Sequence, residues 1–82
     1  MLVIDDDYYM RKVIRSLLLA IGIKDINEAA NGVDGLEAIP VIHPDIVILD
    51  WEMPNMTGGE FMRVVRKPEK FPVPQVPVIM LT

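Results

Sequence analysis

At 82 residues the chain has room for one small domain, and at 51% hydrophobic it is not a disordered segment. Its 12 acids against 8 bases, a formal charge of -4, argue against a nonspecific nucleic-acid binder, which needs a basic footprint. The absence of Cys excludes disulfides and zinc–thiolate sites, and the single His43 excludes a His-rich metal centre.

Leu2 to Ile4 is a short apolar run that reads as a buried strand, with Asp5, Asp6 and Asp7 at its C-terminal end. Met10, Val13, Ile14, Leu17, Leu18 and Ile21 follow at helical spacing and predict an amphipathic helix with these residues inward, capped by Asp7 and stopped at Gly22. Residues 26–30 read as a second strand, weak and partly exposed because of Asn27 and Glu28. Asn31-Gly32 is a turn signal, and a short helix is expected from about Val33 to Ile39, with Pro40 stopping or kinking it. Ile46 to Leu49, apolar on both faces and ending at Asp50, is the strongest strand signal. Pro54, Asn55, Thr57, Gly58 and Gly59 make a loop. Glu60 to Lys67 reads as a third helix with Phe61, Val64 and Val65 inward, ended by Pro68. A proline-rich stretch then precedes a last strand, Val78 to Leu81, which ends at Thr82.

The order β-α-β-α-β-α-β, with strands buried on both faces, predicts a doubly wound α/β fold with a parallel sheet. No basic leader precedes the first apolar run, and no uncharged apolar stretch reaches the roughly 18 residues a membrane helix needs. A cytoplasmic protein with no membrane contact is expected. The two basic clusters, Arg11, Lys12, Arg15 and Arg63, Arg66, Lys67, read as solvated helix faces.

In such a sheet the strand ends lie along one edge, where ligands bind. Asp5 and Asp6, Asp50 and Thr82 end three different strands and therefore converge. Clustered carboxylates repel and need a cation; oxygen ligands without His or Cys select a hard one, Mg²⁺ first, with Mn²⁺ as a substitute. The plainer alternative is that strand-end acids serve as helix caps and loop solvation, and Asp7 fits that role best.

The stretches VIDDDYYMRKVIRSLL, PDIVILDWEMPNMTGGEF and VPVIMLT resemble the receiver domain of bacterial two-component response regulators, across nearly the whole chain. The loop sequence after Asp50 is most similar to the single-domain chemotaxis type. The resemblance implies a flavodoxin-like fold and a phosphoacceptor function. Asp50 would be phosphorylated from a phosphohistidine on a sensor histidine kinase. Asp6 would be a direct metal ligand, and Asp5 would act mainly through water. Glu52 would offer its backbone carbonyl to Mg²⁺ while its side chain tunes dephosphorylation. Pro54 and Gly58 would shape the loop, and Thr82 would be the switch hydroxyl read by a downstream protein or effector domain.

The family fold has a fifth strand, two more helices and a lysine at the end of strand five. These 82 residues correspond to its first four strands and three helices, its N-terminal two-thirds. The last strand would then be an apolar edge, so the chain is expected to be a homodimer or higher oligomer, and its phosphorylation to be weak without the lysine. Two other readings stand beside the signalling one. One is a receiver-like fragment acting by partner binding or self-assembly without phosphorylation. The other is a Mg²⁺-dependent phosphohydrolase with an aspartate nucleophile, for which Glu52 occupies the place of the second acid.

Overall fold

Runs too short for helices, apolar except in the second, form the strands of one sheet: β1 (Leu2–Ile4), β2 (Asn27–Ala29), β3 (Val47–Asp50) and β4 (Val78–Leu81). The structure is a computed structural model that describes residues 1–53, 56–67 and 76–81. All neighbouring strands are parallel, in the order β2-β1-β3-β4. Among the described residues three helices lie between them, α1 (Tyr8–Ala20), α2 (Gly32–Ile42) and α3 (Gly58–Val65). Residues of a parallel strand alternate between faces. Leu2, Ile4, Val47 and Leu49 therefore point to one side, where they pack with Ile39 of α2 and with Phe61 and Val65 of α3. Val3 and Ile48 point to the other side and meet Ile14 of α1. Helices thus cover both faces, as the doubly wound reading expected. Each fully buried Leu, Val or Phe contributes about 1.5–3 kcal/mol.

Local chemistry fixes the helix ends. Asp7 caps α1, its side chain accepting from the N–H groups of Tyr9 and Met10. Past its C-terminus Gly22 adopts φ +96, where a β-carbon is strained. Its N–H bonds the Leu19 carbonyl at 3.1 Å while Ile23 N–H bonds that of Leu18 at 3.0 Å, the pairing of a Schellman cap. Thr57 and Glu60 form a reciprocal capping box at the start of α3.

Two helix bounds and one buried face differ from the sequence reading. The second helix runs through Pro40 to Ile42. Proline there falls in the last turn, so little ladder is lost, and His43 in the left-handed region ends the helix with its N–H on the Ile39 carbonyl. The third helix begins two residues earlier than expected, at Gly58, because Thr57 supplies the cap. On α1 only Ile14 is buried: Met10, Val13 and Leu17 share its stripe but are exposed, Leu17 at 64%.

Candidate phosphoacceptor site

The parallel register carries the acids to one edge. Asp50 is the last residue of β3 and Asp5 follows the last residue of β1, with Asp6 next. Carboxylate oxygens of Asp5, Asp6 and Asp50 lie within 4.8 Å of one another. Asp5 is buried, Asp50 half-buried and Asp6 exposed, so the group grades from the sheet out to solvent. Backbone bonds hold the frame. Asp5 N–H donates to the Ala29 carbonyl at 3.2 Å, and Trp51 N–H to the Leu81 carbonyl at 3.0 Å. Asp7 N–H donates to Asp5 Oδ1 at 2.9 Å. Arg11 reaches over from α1, its guanidinium donating to the Asp5 carbonyl at 2.7 Å.

The electrostatics are those of an uncompensated group. Burial raises the Asp5 carboxyl above its ordinary value, the Asp7 N–H pulls it down, and the charges of Asp50, Asp6 and Asp7 push it further up. Among the described residues no Lys or Arg forms an ion pair with any of the three acids. An all-oxygen set of carboxylates with this excess charge fits a hard divalent cation such as Mg²⁺.

Glu52 is exposed, two residues past Asp50, and stands outside the three-acid group. Thr82 and Pro54 lie outside the described residues. Gly58 is pressed against Trp51. Its N–H donates to the Trp51 carbonyl at 2.8 Å, and an added β-carbon would stand 3.1 Å from Trp51 Cα. Met53 is buried in the main core, so this methionine anchors the loop after Asp50. A cavity of about 380 Å³ lined by Met1, Lys24, His43 and Asp45, among others, sits at the opposite edge of the sheet, away from the acids.

The family model described as "Response regulator receiver domain" matches residues 1–82. The chain belongs to that family. This receiver domain is 38% identical to the chemotaxis protein CheY of Pseudomonas aeruginosa, over 99% of the chain and 64% of the relative. It is also 38% identical to a protein-glutamate methylesterase/protein-glutamine glutaminase of Pyrococcus abyssi, over 99% of the chain and 22% of that protein. Among solved structures, the N-terminal domain of a response regulator receiver protein from Methanoculleus marisnigri superposes with a TM-score of 0.86 at 34% identity, covering 99% of the chain and 63% of that structure. The receiver domain thus spans less than two-thirds of the length of these relatives. Among the described residues no helix is long and apolar enough to cross a membrane.

The sequence reading passed over Arg11 and Glu28 as site residues. Arg11 was counted in a solvated helix face, yet its side chain is only 13% exposed and that of Glu28 15%. The signal was a carboxylate on the neighbouring strand, legible only once β1 and β2 are in register.

Proposed function

We propose that this receiver domain accepts a phosphoryl group on Asp50 from a phosphohistidine of a sensor histidine kinase, with Mg²⁺ or Mn²⁺ held at Asp6 and Asp50. The observation that carries this reading is the three-carboxylate group at the sheet edge, unpaired by any described cation. Asp6 and Asp50 would hold the cation, and its chemistry would be neutralisation of charge on the nucleophile and on the phosphoryl oxygens. Asp50 presents a half-buried carboxylate at a strand end, fixed by the backbone bond from Trp51 N–H to β4. One of its oxygens attacks phosphorus in line; the P–N bond breaks, the imidazole leaves with the electron pair and takes up a proton, and an aspartyl phosphate forms. Asp5, buried and bonded to Asp7 N–H, sustains the negative field that draws the cation. Glu52, exposed two residues past Asp50, would tune the later attack of water on phosphorus, which breaks the bond to the Asp50 oxygen, releases inorganic phosphate and restores the carboxylate; Thr82 would supply the switch hydroxyl. The phosphoryl group, at about -1.5 to -2 in place of the carboxylate's single negative charge, then biases a surface read by a downstream protein or effector domain in the cytoplasm.

A Mg²⁺ titration followed by Trp51 fluorescence tests the metal half of this reading, since Trp51 adjoins Asp50. Saturable binding is expected, with Asp6→Asn weakening it strongly; equal affinity in that variant removes Asp6 from the ligand set.

The reading extends to self-association through β4. Among the described residues β4 is paired only with β3, and Ile79, half-exposed, continues the row of Val3 and Ile48. Antiparallel pairing of β4 with its copy about a two-fold axis satisfies the edge and sets the exposed Ile79 side chains of the two copies on neighbouring strands.

A further inference from the structure

The acid pair is held from behind by a bridge that runs to the other edge of the sheet. The Arg11 guanidinium donates through Nη1 to the Asp5 carbonyl at 2.7 Å and through Nε to Glu28 Oε1 at 3.2 Å. Glu28 lies on β2, directly opposite Val3 of β1. Its carboxylate is gripped further by Lys12 Nζ, at 3.0 and 2.8 Å, and Arg15 Nη1 stands 3.4 Å away. Arg15 also donates to the Ile26 carbonyl at 3.0 Å, and the Tyr8 ring lies beside the Arg11 and Lys12 cations. Arg11 is therefore fixed at both ends of its fork, and the carbonyl it holds belongs to the peptide joining Asp5 to Asp6.

We propose that Arg11, oriented by Glu28, is a positioning residue that sets the Asp5–Asp6 peptide and thereby aims the Asp6 carboxylate at Asp50. The proposal rests on the metal reading of the acid group. Orientation of this peptide decides where the Asp6 side chain leaves the backbone, and groups one step behind a metal ligand commonly govern affinity about 10–100-fold. The sign of the effect separates positioning from charge. A guanidinium at the Asp5 carbonyl opposes a divalent cation bound near Asp6, so its removal tightens Mg²⁺ binding if charge is all it supplies. If Arg11 positions the pair, its removal weakens binding instead.

Arg11→Met removes the fork and keeps the stem. Arg11→Lys keeps charge and length but lacks the geometry to hold both partners. The metal-free readout is hydrogen exchange at the Asp7 amide, which donates to Asp5 Oδ1, measured relative to the Leu49 amide so that global stability cancels. Both variants are expected to speed Asp7 exchange about tenfold relative to Leu49. Both should also raise the Mg²⁺ dissociation constant of the folded protein about tenfold. An Asp7 amide unchanged in both variants, or Mg²⁺ bound more tightly by Arg11→Met, overturns the proposal. Failure of wild-type protein to bind Mg²⁺ overturns the metal reading, and the exchange measurement then decides the positioning role alone.

Discussion

Asp5 and Glu28 flank the same peptide and respond to pH with opposite sign. Burial raises the Asp5 carboxyl above its unfolded value of 3.8. Its ionised form therefore destabilises the metal-free fold at neutral pH, and that penalty is released as pH falls through the raised value. Asp5→Asn keeps an oxygen for the Asp7 N–H and is expected to raise the melting temperature of the metal-free protein by a few degrees at pH 7. The difference should shrink as pH approaches about 4. Thermal melts in chelator across that range check it; a less stable Asp5→Asn at pH 7 contradicts it. Glu28 behaves in reverse. Hydrogen bonding from Lys12, then its charge, and the contacts of Arg11 and Arg15 outweigh burial and lower its carboxyl below 4.5. Its stabilisation is present above that value and is lost as pH falls through the lowered one. At the same scale, the acids at strand ends were legible in the sequence because a parallel sheet places such ends together. The Arg11–Glu28 bridge was not legible, since helical periodicity says which face a residue shares and nothing about the strand across from it.

At the scale of elements, residue patterning and turn signals located each strand and helix among the described residues. What they missed was coverage. Met10, Val13 and Leu17 have the spacing of a buried stripe, but only Ile14, with half-buried Leu18, reaches the sheet face among the described residues. Periodicity identifies an apolar face without identifying what lies over it. Trp51 is exposed for a related reason: its ring is carried at the surface against Gly59 rather than into the core. The close fit of α3 against the loop after β3 gives a direct test. At Gly58 a β-carbon would come within 3.1 Å of Trp51 Cα, which is backbone, and 2.8 Å of the Met80 sulfur. Gly58→Ala is therefore expected to cost about 1–3 kcal/mol in urea unfolding. An unchanged midpoint contradicts that packing.

For the whole molecule, both faces of the sheet are covered near β1, while the row ending at Ile79 and Leu81 of β4 carries its apolar side chains outward. The sequence marked Val78–Leu81 as a strand, and the register adds which residues face out. Ile79 is 50% exposed, whereas Met80 packs against the main core. Ile79→Lys is thus a better probe of the β4 edge than Met80→Lys, which also disturbs the core. Sedimentation equilibrium at tens of micromolar is expected to give a dimer that Ile79→Lys dissociates. A folded wild-type monomer contradicts self-association, and a dimer indifferent to Ile79→Lys moves the interface elsewhere.

The central claim is that Asp50 is the phosphoacceptor of an acid group that requires a divalent cation. Its most direct test is site-mapped mass spectrometry after incubation with a phosphorylated histidine kinase, with and without Mg²⁺. Label is expected on Asp50 and on no other residue, lost in chelator and absent from Asp50→Asn. Label retained by Asp50→Asn, or label on Asp50 indifferent to chelator, would contradict it.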